Sequence, residues 1–106
     1  ITAEELKANL ENLTVVDVRK KGEWTAEHVE NAQHAPLDYL SQHMEVFSDD
    51  SKTYALHCRS GYRSMIAVSI LKARGIHNIQ NIAGGYMAIS ETEIPTTDYV
   101  CPSTVS

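Results

Sequence analysis

The stretch from residue 52 to residue 75 most constrains what this chain can become. Residues 52–57 (KTYALH) read as a short apolar strand. They run directly into Cys58-Arg59-Ser60-Gly61-Tyr62-Arg63, a short loop with one glycine. An apolar helical run follows over residues 64–74, and Gly75 stands where a helix C-cap favours glycine. Because the helix carries apolar residues on more than one side, it is expected to be well buried. Strand, tight loop and helix in immediate succession make a βα unit, the building block of a parallel sheet.

The rest of the chain repeats that alternation. Thr2-Ala3-Glu4-Glu5 has the form of a capping box and predicts a helix to about residue 10. Residues 14–18 (TVVDV) are a β-branched strand, 23–29 a helix or turn, and 33–35 a short strand stopped by Pro36. Leu37, Leu40, Met44 and Phe47 recur at helical spacing, and residues 48–51 read as a loop. Residues 77–82 predict another strand, followed by Gly84-Gly85 and a short helix from Tyr86. From Ile94 the chain reads as an extended tail. The expected fold is α/β, with a central, mainly parallel sheet of about five strands and helices on both faces. The expected organisation is one domain over residues 1–91 and an extended C-terminal tail over 92–106. In such sheets ligands bind outside the carboxyl ends of the strands, where the Cys58 loop would lie.

Charge distribution sharpens the function. The net charge of −5 argues against general nucleic-acid binding. From Thr53 to Ser90 there is no Asp or Glu, while Arg59, Arg63, Lys72 and Arg74 fall inside that span. Lys72 and Arg74 suit a helix C-terminus. Arg59 and Arg63 flank the cysteine and make its surroundings locally positive, as an anion site needs. No apolar run reaches the ~20 residues that span a bilayer, so no membrane partner is expected. Glu4, Glu5 and Lys7 interrupt any signal-like stretch. Two cysteines without a CxxC pair fit a reducing, cytoplasmic setting. In that setting the triplet Asn12-Leu13-Thr14 reads as chance rather than a glycosylation site. The start at Ile1 fits either a domain cut from a longer protein or the loss of a disordered leader.

The loop implies chemistry of its own. Backbone N–H groups wrapped around a sulfur at a helix N-terminus favour thiolate over thiol, and thiolate is the nucleophile. Gly61 permits the tight turn. The arrangement points to an anion-handling, cysteine-based enzyme, against the plainer reading of Cys58 as a structural cysteine. Strand alternation turns His57 away from Cys58, which favours a supporting role for it. His34, His43 and His77 show no metal-ligand spacing, so neither metal nor cofactor is expected. Cys101, beside Pro102, is either an incidental thiol or a partner that closes a disulfide with Cys58. Gly84-Gly85 without a following Lys-Ser/Thr is a weak phosphate-loop signal.

Four motifs in order resemble the rhodanese-like domains, a sulfurtransferase family. Asp17-Val18-Arg19 resembles the strand-end DxR. Glu23-Trp24, His28-Val29 and Ala32 resemble the E-aromatic-x-x-G-H-I-x-G-A signature. Cys58 to Arg63 matches the C-x-x-G-x-R active-site loop, and Gly84-Gly85-Tyr86 resembles the GG-aromatic element. Glu27 and Asn31 stand where the family has glycines, and Ala88-Ile89 occupies the region of a frequent Trp. Asn tolerates left-handed backbone, so Asn31 suits a turn. The stretch Ile94-Pro95-Thr96-Thr97-Asp98-Tyr99, with the start at Ile1, is similar to rhodanese domains fused behind metallo-β-lactamase-fold persulfide dioxygenases. That second resemblance implies covalent fusion to such a domain.

The family resemblance implies that Cys58 takes a sulfane sulfur from a small-molecule donor such as thiosulfate. The resulting persulfide then passes it to a thiol or cyanide acceptor. Loop N–H groups from Arg59 to Ser64 would cradle the terminal sulfur. Arg59 would meet an anionic donor; Arg63 would either bind the donor or brace the loop through a carboxylate. Ser60 and Tyr62 would shape the mouth. Asp17, Arg19, Glu23 and His28 would be structural support. Two other functions compete. A phosphatase or arsenate reductase of the related cell-cycle type uses H-C-x5-R, one residue longer than the C-x4-R here, and the shorter loop suits one sulfur better than a tetrahedral phosphoryl group. A sulfur-relay or regulatory module of a larger protein would act only with its partner domain.

Overall fold

The computed structural model describes residues 1–97 apart from Asn31, Ser48 and Asp50. Expectations for Asn31 and Cys101 therefore lie outside the described residues. Helix α1 (Ala3–Ala8) opens on the expected capping box: Thr2 accepts from the Glu5 N–H, and the Glu5 carboxylate takes the Thr2 N–H. Strand β1 (Leu13–Asp17) leads to α2 (Lys21–Ala26), then the short strands β2 (His28–Val29) and β3 (Gln33–His34). Strand β4 (Thr53–His57), helix α3 (Tyr62–Ala73), strand β5 (Ile79–Asn81), helix α4 (Gly85–Ile89) and strand β6 (Thr96–Thr97) complete the order.

The main sheet runs β3-β1-β4-β5 with every pairing parallel, so it has four strands rather than about five. A separate antiparallel ribbon joins β2 to β6. The stretch expected as tail begins with a bend at Thr92 and docks on the domain as far as β6: Ile94 is buried, and the Glu30 N–H donates to the Pro95 carbonyl.

Alternation along the strands sends side chains into two cores. Val16, Tyr54, Leu56 and Ile79 face α3 on one side. Val15 and Ala55 face α1 and α4 on the other, with Leu6, Ile82 and Ile89. Helices thus cover both faces, as the strand–helix alternation implied. Each fully buried aliphatic side chain contributes roughly 1.5–3 kcal/mol relative to exposure.

Two local expectations need correction. The apolar spacing over residues 37–47 forms short 3₁₀ turns, over Leu37–Gln42 with a kink at Tyr39 and over Met44–Phe47, instead of one continuous helix. Met44 and Phe47 are three apart, the period of the tighter helix. Helix α3 is not buried all round. It buries Ser64, Ala67 and Leu71, while Tyr62 and Met65 are 74% and 58% exposed and Ile66 is also exposed. Its end is as expected: Gly75 has φ +87, its N–H donates to the Lys72 carbonyl, and the Ile76 N–H reaches Leu71, a Schellman motif.

Candidate active site

Parallel strands bring their carboxyl ends to one edge, and the sequence loads that edge with polar residues. Register aligns Asp17 with His34 on one side and with His57 on the other, and Leu56 with Asn81. Paired residues share a face, so Asp17, His34 and His57 form a row on the α4 side. Cys58, one residue past His57, and Asn81 turn to the α3 side.

Cys58 is buried at the N-terminus of α3. The Gly61 N–H donates to its Sγ at 3.1 Å, and the Ser64 hydroxyl lies 3.7 Å away. Burial pushes the thiol up. The backbone N–H and hydroxyl of Ser64, with the N–H groups of Ser60 and Gly61, pull harder and hold it below the ordinary thiol value. Donors from Ser60, Gly61 and Ser64 thus act on the Cys58 sulfur, and the Arg63 side chain adds its charge and a hydrogen bond. Gly61 sits at φ +98, the left-handed turn that aims these groups inward.

The loop rests on α4. The Tyr86 N–H donates to the Cys58 carbonyl at 2.7 Å and the Met87 N–H to the Arg59 carbonyl at 3.0 Å. This approach explains the double glycine. A Cβ on Gly85 would lie 2.5 Å from the Cys58 carbonyl oxygen, and Gly85 has φ +56. Gly84-Gly85 is therefore the seat of the cysteine loop, a role that composition alone did not suggest.

Side chains of the loop divide by position. Arg63 forms a two-pronged pair with Glu23 (2.8 and 3.1 Å), so it braces the loop through a carboxylate. Hydrogen bonds from Arg63 hold the Glu23 carboxyl below its usual range, against a smaller opposing effect of burial. Ser60, Tyr62 and Arg59 are exposed. Arg59 lines a cleft of about 340 Å³ beside the loop, together with Arg19, Glu23, Glu27, Tyr86 and Met87.

On the α4 side the supporting residues are closely joined. Arg19 Nε bonds both oxygens of the fully buried Asp17 carboxylate at 3.0 and 2.9 Å, and its Nη2 lies 2.8 Å from Oδ2. Its guanidinium also donates to the Glu27 carbonyl and lies 4.3 Å over the Tyr86 ring. Tyr86 donates its hydroxyl to the Glu27 carboxylate. Glu27, where the family pattern has glycine, thus adds a bond, and its extended backbone (φ −167) suits any residue.

His28 stacks on Trp24 at 3.7 Å and bonds its carbonyl through Nδ1, while His34 stacks on Trp24 at 4.7 Å and bonds the Arg19 carbonyl through Nε2. His57 Nδ1 donates to the Cys58 carbonyl at 3.1 Å. Its Nε2 has no hydrogen-bond partner and faces Asp17 at 3.8 Å. Burial pushes His57 down, so it is neutral at pH 7. Asn81 was not singled out by sequence reasoning; a polar residue closing a strand ahead of Gly84-Gly85 is the signal that marks it.

With the cysteine cradle, its α4 seat and the DxR pair in place, comparison with known proteins is decisive. The rhodanese-like domain model matches residues 2–92. This chain belongs to the rhodanese-like domain family. It is 31% identical over 86 residues to the uncharacterized protein YqhL of Bacillus subtilis, covering 81% of this chain and 68% of that one. It is 35% identical over 78 residues to a putative sulfurtransferase, YtwF, from the same organism, covering 74% of each. A tRNA sulfurtransferase of Thermoplasma volcanium is 35% identical over 71 residues, which are 67% of this chain and 14% of that protein. Among solved structures, a rhodanese-related protein from Thermoplasma volcanium superposes with TM-score 0.84 at 31% identity, covering 93% of this chain and 97% of that one. The family and these relatives support sulfurtransferase chemistry at the level of the rhodanese class.

Proposed function

We propose that this rhodanese-like domain moves a sulfane sulfur through a Cys58 persulfide. The observation that carries the reading is the buried Cys58 sulfur held by backbone N–H and hydroxyl donors of its own short loop and the helix turn that follows. With thiosulfate as donor, the Cys58 thiolate attacks the outer sulfur. A new S–S bond forms, the bond to the sulfonate sulfur breaks, and sulfite leaves with the electron pair. The persulfide then gives its terminal sulfur to cyanide, forming thiocyanate, or to a thiol, and Cys58 thiolate returns. Loop N–H dipoles stabilise the terminal anion with little reorganisation. Arg59 at the cleft is the contact for an anionic donor. A reducing, cytoplasmic setting suits a persulfide carrier.

Phosphatase chemistry fits less well, because Arg63 is engaged by Glu23 and the loop is one residue shorter than such enzymes use. A relay role inside a larger protein has a specific basis: this chain spans 14% of the tRNA sulfurtransferase and 24% of a probable adenylyltransferase/sulfurtransferase of Mycobacterium tuberculosis that it matches. Fusion to a metallo-β-lactamase-fold domain is one form that such a larger protein would take.

The test is intact-protein mass spectrometry after treatment with thiosulfate or glutathione persulfide. Wild type gains one sulfur atom, Cys58→Ser gains none, and cyanide reverses the gain with thiocyanate release. No adduct from either donor on wild type would overturn the reading.

A further inference from the structure

The buried hydroxyl beside Cys58 poses a hydrogen-counting problem. Ser64 Oγ lies 3.2 Å from the Gly61 carbonyl, 3.7 Å from Cys58 Sγ, and in close hydrogen-bond contact with Asn81 Oδ1. All three are acceptors when the sulfur is a thiolate, yet a serine hydroxyl has one hydrogen. The Gly61 carbonyl already accepts the Met65 N–H. The remaining conflict lies between the amide oxygen and the sulfur. Half a turn about the Asn81 Cβ–Cγ bond removes it by exchanging oxygen for nitrogen at nearly the same place. Nδ2–H then donates to Ser64 Oγ, and the serine hydrogen is released for the thiolate.

We infer that Asn81 is a positioning residue that presents its amide N–H to Ser64 and thereby commits the Ser64 hydroxyl to Cys58 Sγ. The inference rests on Cys58 being the nucleophile. Sheet geometry supports it. Asn81 pairs with Leu56, two residues before Cys58, and both Leu56 and Asn81 face α3, whose first turn carries Ser64. A chain of two donors, Asn81 and Ser64, therefore runs from the end of β5 to the sulfur. In the first transfer it favours thiolate. In the second it stabilises the same thiolate as leaving group when the persulfide gives up its outer sulfur.

Other groups near Cys58 set the background. His57 points to the opposite face and is neutral. Asp17 and Arg19 of β1 and the following turn neutralise each other. Arg63 of α3 pairs with Glu23 of α2 and also acts on Cys58 through its charge and a hydrogen bond, a background common to every variant below. Arg59 is a solvent-facing cation. Tyr86 of α4, whose phenol burial and the Glu27 hydrogen bond push up to about 12, is neutral. None of these bonds Ser64.

The experiment is the pH dependence of Cys58 alkylation by iodoacetamide, which reads thiolate whether or not the protein transfers sulfur. The variants are Ser64→Ala, Ser64→Thr, Asn81→Leu, Asn81→Asp, and Ser64→Ala combined with each Asn81 change. Ser64→Ala should move the midpoint upward by about 0.5–1 pH unit, the equivalent of one hydrogen bond, and Ser64→Thr should restore it. Asn81→Leu should move it upward by less and add nothing to Ser64→Ala. Asn81→Asp, an acceptor that claims the serine hydrogen, should move it further, and the part beyond its bare charge should vanish in the Ser64→Ala background. A downward shift in Asn81→Leu would mean that Asn81 had been holding the hydrogen away from sulfur, and would overturn the inference. So would an unchanged midpoint in Ser64→Ala, or equal Asn81 effects with and without the Ser64 hydroxyl. Loss of fold in one Asn81 variant leaves the other to decide.

Discussion

The two faces of the sheet's carboxyl edge solve opposite electrostatic problems. On the α4 face, Asp17 and Arg19 are buried ions, satisfied by each other and by the carbonyl of Glu27. On the α3 face, the Cys58 sulfur meets chiefly neutral donors, those of Ser64, Ser60 and Gly61, with the Glu23-clasped Arg63 adding a cationic contribution. Only one backbone layer separates them. Permanent, paired charge holds the frame, whereas the sulfur is met mainly by backbone and hydroxyl dipoles.

The largest expected effect comes from the backbone that joins the two faces. Gly85→Ala forces a methyl against the Cys58 carbonyl and breaks the bonds from Tyr86 and Met87. Sulfur transfer should fall about 100-fold or more, with a lower Tm. An alanine variant with wild-type turnover would show that the seat is not needed. Next comes the charged face alone. Asp17→Ala leaves Arg19 buried without its partner and should cost roughly 3–5 kcal/mol in urea unfolding, with the Cys58 alkylation midpoint changed far less.

Acid should act on the same face. Burial lowers the folded pKa of His57 and of His34, so both stay neutral while the unfolded chain binds protons below pH 6.5. Their contribution is fully present above that pH and is lost as pH falls towards the lowered folded values. The Tm should decline from pH 7 to 5, and His57→Gln should flatten the slope. An equal slope in the variant would move the cause elsewhere. Glu23, whose folded pKa is depressed, loses its contribution only at lower pH, as the carboxyl protonates. The mildest perturbation is at the mouth. Arg59→Ala should raise KM for thiosulfate about tenfold, the scale of one charged hydrogen bond, with Tm within about 4 °C, as for an exposed site.

Local features were readable from sequence because their causes are local. The Thr2 capping box, the Gly75 stop and the Cys58 loop each need only a few adjacent residues. The contrast between the faces was not readable, since it depends on register. Only the pairing of Asp17 with His57 and of Leu56 with Asn81 decides which polar groups meet the sulfur. Likewise Gly84-Gly85 carried no hint of what would approach it. Periodicity misjudged α3, whose exposed Met65 and Ile66 are as apolar as its buried side.

The fastening of the cysteine loop at both ends bears on how this scaffold can diversify. Cys58 and Arg59 are hitched to α4 through their carbonyls, Gly61 turns at φ +98, and Arg63 is clasped by Glu23. Exchanging Ser60 or Tyr62 leaves every one of these anchors intact. Inserting one residue, as a phosphate-sized ring would require, rotates everything after it by about 100° on the helix and carries Arg63 away from its clasp. New specificities on this frame are therefore reached one side chain at a time, while a change of reaction demands that helix, clasp and loop be rebuilt together.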